Sequence, residues 1–404
     1  MRVVSPTVFA IATASAWALT VVAAALLRNR LFATFAGVIL GVQGLISVGL
    51  FETFEAAWPA YCYLQACTYL HFLSLSRARM RPLWWRTIVS IPALWFAAGT
   101  FLAMPVSVVA AFGVDPAVWV VAIPFAVAGF GLLQSLKAPI EDVHLVLDGE
   151  PVDGPRRHAH GAPDGDTAPL RIVQITDPHL GPLMSVSRLR GICERAVAAE
   201  PDLIAVTGDF LTMESQSNPR VLHDALAPLA AYEGKVFACF GNHDHEAPQI
   251  VKDACAAHGI RLLIDDEATL ETSAGPVQIL GADFAFRDRR ARLEALCERF
   301  ARRPGHLRLL LLHDPGAFRH VPEGEADLVL SGHTHGGQVG LLSVGLKWTF
   351  VSGLTSIPDH GFWARGRDRL YVHRGTGVYG FPLRVGVPGE ESTLHVHDAR
   401  PEPA

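Results

Sequence analysis

Hydrophobic positions divide this chain into two differently patterned parts. In the first, five stretches of about 20 residues, 7–27, 31–51, 56–76, 88–108 and 116–136, have the length that a helix needs to cross the hydrocarbon core of a bilayer. Four are nearly free of charge. The third is interrupted by Tyr61, Tyr63, Gln65, Tyr69 and His71, which suit a membrane interface or the inside of a helix bundle. From residue 170 the pattern changes to short apolar runs of strand type, separated by segments of helical spacing at 186–199, 220–231 and 248–258. The last of these has Pro248 at its start and Gly259 just past its end, as helices favour. Strands alternating with helices predict an α/β sheet whose site lies beyond the carboxyl ends of the strands. Residues 149–168, rich in Gly, Pro and charge, predict an exposed loop, with a first strand before it at Val143–Leu147. The expected organisation is a helical membrane domain over 1–140, a strand and linker over 141–169, and a second domain over 170–404.

Charge sharpens this division. Of 404 residues, 50% are hydrophobic and 18% charged, with a net charge of −5. Residues 1–140 hold eight Lys/Arg and three Asp/Glu, so about +5 there opposes about −10 in the remainder. An acidic second part lacks the basic footprint that nucleic acid requires. Arg28 and Arg30, then Arg77, Arg79, Arg81 and Arg86, then Lys137 mark loops that fall on one side if all five stretches span, while Glu52, Glu55 and Asp115 mark the other. Because basic loops stay inside, the expectation is an inner (plasma) membrane protein with everything after residue 137 in the cytoplasm. The six cysteines show neither disulfide-framework spacing nor a CxxC pair and are read as reduced. His158 and His160 lie on the predicted loop with no fixed carboxylate nearby, and are read as solvated rather than as a metal pair.

The chemistry repeats. Five times a short apolar run ends in residues that ligate hard metals: Arg171–Ile175 before Asp177 and His179, Leu203–Val206 before Gly208-Asp209, Val236–Phe240 before Gly241-Asn242-His243-Asp244, Leu309–Leu312 before His313, and Asp327–Leu330 before Gly332-His333-Thr334-His335. Capping and turn roles account for a single strand-end Asp; they do not account for five such ends in order.

That order, D-x-H, G-D, G-N-H-D, H and G-H-x-H, resembles the calcineurin-like metallophosphoesterase superfamily over about residues 142–397. The phrases from Ser331 to Gln338 and from Tyr371 to Gly377 are most similar to its bacterial membrane-associated phosphohydrolases. The resemblance implies a four-layer αββα sandwich of two facing sheets and a centre of two divalent ions. Asp177, His179, Asp209 and His335 would hold one ion and Asp209, Asn242, His313 and His333 the other, with Asp209 bridging. His243 would act as general acid or hydrogen-bond donor to the phosphate. Nitrogen and oxygen ligands without thiolate suit Mn, Fe, Co or Zn better than Mg. The family's protein-phosphatase branch orients this His with an Asp, followed by an Arg; Thr212 and Met213 stand in those places here. The orienting group is therefore open, with Glu214 and Asp244 as candidates. Gly375-Thr376-Gly377 resembles part of a phosphate loop but is read as a turn near the site, and Arg374 is a candidate for binding substrate anions. The expected function is hydrolysis of a phosphate mono- or diester by a water activated between two metals. Tethering to a lipid bilayer favours a lipid-linked phosphate as substrate. The alternative is a membrane sensor or scaffold that binds a phosphorylated ligand without turnover.

Overall fold

The computed structural model describes residues 4–114, 116–161 and 168–400, so Asp115 and positions 162–167 of the expected linker lie outside the described residues. The chain divides into two compact units, Met1–Leu136 with Gly380–Val385, and Lys137–Tyr379 with Gly386–Ala404.

The first unit is helical. Helices Pro6–Leu27, Arg30–Leu50 and Val118–Ser135 are long and apolar enough to cross a membrane. The tight first connection is stabilised by Asn29, whose side chain accepts the amide hydrogen of Phe32 and so caps the second helix. Leu83–Leu102 and Met104–Ala111 form a pair bent by 51°, which adds a fourth crossing if it counts as one span. Pro105 lies in the first turn after the bend, where it has no amide hydrogen to continue the helical ladder. The third expected span is a helix, Trp58–Leu75, but its polar residues leave it too weakly apolar to count among the crossings. Several of those groups face inward: Gln65 and Gln43 exchange amide hydrogen bonds of 3.1 and 3.3 Å, and the Tyr61 hydroxyl donates to Ser47 O at 2.8 Å. Five spans are thus an upper expectation, of which composition supports three or four.

The second unit contains strands β1 (Ile140–Leu147), β2 (Val152–Arg157), β3 (Leu170–Ile175), β4 (Leu203–Val206), β5 (Val236–Ala238), β6 (Arg261–Leu262), β7 (Asp266–Thr272), β8 (Gly275–Gly281), β9 (Leu307–Leu311), β10 (Leu328–Ser331), β11 (Gly361–Gly366), β12 (Asp368–Val372) and β13 (Glu391–Asp398). One sheet has the order β1-β13-β3-β4-β5-β6, the other β2-β11-β12-β10-β9-β8-β7. Side chains alternate across each strand, so the sheets face each other through Ile172, Leu203, Ala205 and Phe237 on one side and Ile279, Leu309, Leu311 and Leu328 on the other. The intervening Leu310, Val329 and Leu370 point outward onto helix Arg289–Arg299 through Leu293 and Leu296. Both faces of the central strands are covered, which is why they read as unbroken apolar runs. Helices Val186–Ala198, Pro219–Leu226 and Pro248–Ala257 connect the parallel strands β3 to β6.

Residues 152–157, expected in a loop, form β2, which pairs antiparallel with β11 at a sheet edge. Only Val152 of that strand is buried, so it carries no hydrophobic alternation to reveal it. His158 does have a carboxylate nearby, with Nε2 3.0 Å from Asp148 Oδ2, and both His158 and His160 lie against the Phe362 ring.

Candidate metal centre

Five loops bring the motif residues together. Asp177 and His179 follow β3, Asp209 follows β4, and Asn242 follows β5, all in one sheet. His313 follows β9, and His333 and His335 follow β10, in the other. Two groups result, Asp177 with His179 and His335, and Asp209 with His313 and His333; within each, one ligand atom per residue lies within 4.8 Å of the others. His179 Nε2 and His335 Nε2 are 3.1 Å apart, and His313 Nε2 and His333 Nδ1 3.2 Å apart.

The two carboxylates are already committed on one side. Asp177 Oδ2 accepts the His333 amide at 2.9 Å and the Thr176 hydroxyl at 2.8 Å, while its buried Oδ1 has no hydrogen-bond partner and faces the imidazoles. Asp209 Oδ1 accepts the His243 amide at 2.8 Å, so Oδ2 is turned between the groups, 3.5 Å from His179 Nε2 and 3.2 Å from His313 Nε2. The buried Oδ1 of Asn242 also lacks a hydrogen-bond partner. His313 Nδ1 lies 2.7 Å from Thr207 O and His179 Nδ1 3.3 Å from Leu211 O. Donation of those ring hydrogens to carbonyls leaves each Nε2 with its lone pair facing the centre, the arrangement that orients histidine ligands.

The backbone is bent to make this possible. Asp177, His179, Asp209, His333 and His335 all have φ between 48° and 67°. Such left-handed residues are uncommon outside glycine and gather where a site imposes its geometry. Glycines let the loops close. A Cβ on Gly332 would lie 2.1 Å from Asp177 Oδ2, and one on Gly241 2.2 Å from Asp209 Oδ1.

Electrostatics show what the site favours. Burial alone would raise the pKa of Asp177, but His335, His313 and His179 hold it well below the carboxylate range. Asp209 is lowered likewise, with burial outweighed by His313 and His179. Burial works against an imidazolium at His313, yet Asp209 and Asp177 push it up to about 10. Two buried carboxylates thus draw positive charge into this space. Orphaned oxygens, inward lone pairs and uncompensated negative charge fit divalent cations.

A family model of calcineurin-like phosphoesterases matches residues 170–337, which hold every one of these residues. Metallophosphoesterase YkuE of Bacillus subtilis (strain 168) is 30% identical over 226 residues, 53% of this chain and 74% of that protein. The chain belongs to the calcineurin-like phosphoesterases. Phosphodiesterase YaeI of Escherichia coli (strain K12) is 28% identical over 224 residues, 54% of this chain and 79% of the relative. A transmembrane protein with a metallophosphoesterase domain from Danio rerio is 30% identical over 254 residues, 57% of this chain, which spans 54% of that relative. As a member of this family the protein is a metal-dependent hydrolase of phosphate esters, and its apolar helices together with such relatives fit association with a membrane.

Within this phosphoesterase, the partner of His243 is one that the sequence reading missed. Glu246 Oε1 lies 2.8 Å from His243 Nδ1, and Gln216 Nε2 donates to Glu246 Oε2 at 2.7 Å. Burial disfavours the His243 imidazolium, but Glu246 and then Asp209 outweigh it and raise its pKa above 6.5. The two sequence candidates serve elsewhere. Asp244 is a buried strut that accepts the amides of Asp209 and Gly241 through Oδ2 and of Phe210 through Oδ1. Glu214 is buried, with its amide donating to Thr212 Oγ1. Thr212 itself donates to Leu180 O at 2.6 Å and braces the His179 loop. An acid three positions after the His, inside one short turn, was the available signal for Glu246. Nothing in the sequence marked Tyr379, whose ring stacks on His179 at 4.6 Å and meets His243 edge-on at 4.3 Å. Glu246→Gln is expected to lower turnover about tenfold, the low end for partners that orient imidazoles, with metal content unchanged. Steady-state kinetics beside metal counting checks this.

Arg374 is not placed for substrate. Its guanidinium is paired with Glu390 and Glu141. The turn after it is a brace: Thr376 and Gly377 amides donate to Thr176 O and Asp177 O, both at 3.0 Å, which fixes the first ligand loop.

Proposed function

We propose that the chain is a membrane-anchored, dinuclear phosphoesterase. Asp177, His179, Asp209 and His335 hold one ion and Asp209, Asn242, His313 and His333 the other. The observation that carries this is the position of Asp209 Oδ2, within 3.5 Å of an imidazole from each group. Bound ions supply a water made nucleophilic at neutral pH and charge neutralisation on the phosphoryl oxygens. The chain's own part is orientation and proton delivery. Glu246 fixes the His243 ring through Nδ1, which leaves Nε2 to protonate the departing oxygen. Tyr379 packs against both His179 and His243 and restricts their rings. The donor set favours Mn, Fe, Co or Zn.

The relative from Escherichia coli is named a phosphodiesterase, which makes a diester the first substrate to try. Apolar spans that end four residues before β1 favour a lipid-linked phosphate, and the basic loops favour the cytoplasmic side of the plasma membrane provided that all five stretches span. A binder without turnover was suggested by Thr212 standing in place of an orienting acid. Glu246 supplies that acid from another position, so hydrolysis is the better reading.

The full chain in detergent, stripped with a chelator and reloaded with single metals, is expected to bind two ions per chain and to regain hydrolysis of bis-p-nitrophenyl phosphate only when reloaded. Undiminished activity in the stripped protein, or a stoichiometry of one, would overturn the dinuclear assignment.

A further inference from the structure

Resting on the reading of this unit as a membrane-tied phosphoesterase, we propose that residues 339–358 form an interfacial anchor that inserts into a lipid bilayer beside the metal centre. The substrate is then an amphiphile whose phosphate ester is taken at the bilayer surface.

Among the described residues of the phosphoesterase unit, nine large apolar side chains are exposed, and seven of them lie in this one excursion. Val344 and Leu354 are 70% and 69% exposed, and Leu346, Phe350 and Trp348 55%, 54% and 48%. A water-soluble surface scatters such residues singly; a cluster of this kind marks a surface that meets something apolar. Its composition identifies the partner as lipid. Positions 339–358 contain no Asp or Glu, and their single charge is Lys347, next to Trp348. An aromatic ring beside a cation, among aliphatic groups and without carboxylates, suits the headgroup boundary of a bilayer.

The excursion is firmly held at its base and apolar at its tip. Val339 bridges to Gly386 and Gly340 to Thr349, and the Phe350 amide donates to Val339 O at 2.8 Å. The Thr349 hydroxyl donates to Asp359 Oδ2, and Asp359 O accepts the hydroxyl of Thr334, between His333 and His335, at 2.6 Å. The apolar tip is therefore fastened to the turn that carries two candidate ligands. Of the other two exposed apolar residues, Phe286 lies on a loop that also reaches the centre, since it packs on Phe284 at 4.7 Å and Phe284 lies 6.0 Å from the His333 ring. A bilayer is within reach of the chain: only Leu136 to Pro139 separate the last span from β1, about 14 Å at full extension.

The full chain carrying Leu346→Cys, labelled with an environment-sensitive fluorophore and compared with the identically treated parent, is reconstituted into mixed phosphatidylcholine and phosphatidylglycerol vesicles. The label at 346 is expected to be quenched by lipids brominated on their acyl chains and shielded from iodide, whereas one at Ser273, on the exposed β7–β8 turn, shows the reverse. Leu346→Asp with Leu354→Asp is expected to lower the ratio of vesicle-borne to soluble diester turnover about tenfold or more. A label at 346 that iodide reaches and brominated lipid does not, in protein that hydrolyses the soluble diester, overturns the anchor and leaves the hydrolase standing. Cross-linking between labels of two copies without lipid quenching overturns it in favour of self-association. Lipid quenching in a protein that hydrolyses neither diester upholds the anchor and overturns the hydrolase.

Discussion

Asp209→Asn is expected to lower diester hydrolysis about a thousandfold or more, since a metal-stabilised transition state draws several kcal/mol from its ions and each 1.36 kcal/mol is a factor of ten. The substitution keeps the shape of the side chain. It keeps an oxygen that can accept the His243 amide, so the loop has no steric reason to collapse. What it removes is the charge at Oδ2, the one carboxylate oxygen within 3.5 Å of imidazoles from both groups. Of the two candidate anionic ligands only Asp177 then remains to balance two divalent ions, so metal content should fall together with rate. Elemental analysis and kinetics on the same preparation decide the matter. Full metal loading with near-normal turnover would sink the bridging role, and with it the two-ion centre.

His243→Asn should behave differently, because His243 is assigned to no ion. Metal content should stay at the parent's level while kcat falls by roughly 10² to 10⁴, the usual contribution of a positioned general acid. The loss should also depend on the leaving group. An alkoxide departs poorly without a proton, whereas p-nitrophenolate is stable by itself, so an alkyl ester should suffer far more than a p-nitrophenyl ester. Equal losses on both would remove proton delivery as the role of His243 and leave it as a hydrogen-bond donor to the phosphoryl oxygens. The Glu246→Gln variant should share this leaving-group dependence in milder form, because Glu246 acts only through the ring that it holds.

The ligands were legible because each follows a buried strand directly. In β3, β4, β9 and β10 an apolar run stops and a ligand appears within a few residues, a local pattern that needs no knowledge of pairing. β11, β12 and β13 were less legible. β11 alternates buried and half-buried positions with an Arg and a Trp in it, and β12 begins with Asp368 and Arg369, which the fold buries. Both Arg365 and Arg369 find acids once the strands are paired, Asp368 and Asp148 respectively, and such neutralisation is invisible before pairing. No motif marks Glu246, because the family's orienting acid stands near Asp209, 34 residues earlier in the chain than His243, whereas Glu246 meets the ring from within its own turn.

Alone, the chain's order of residues determined the division into a span-rich part and an α/β part, the alternation of strands and helices, and the residues capable of holding metal, since all of these depend on local spacing and side-chain chemistry. Only the tertiary structure decided which oxygen of Asp209 faces both groups, that Glu246 holds His243, that Arg374 is spent on Glu141 and Glu390, and that seven large apolar side chains of 339–358 stay exposed. Those are relations between distant segments. They exist only once two sheets have stacked and fixed their loop ends against one another, which no local pattern of polarity can specify.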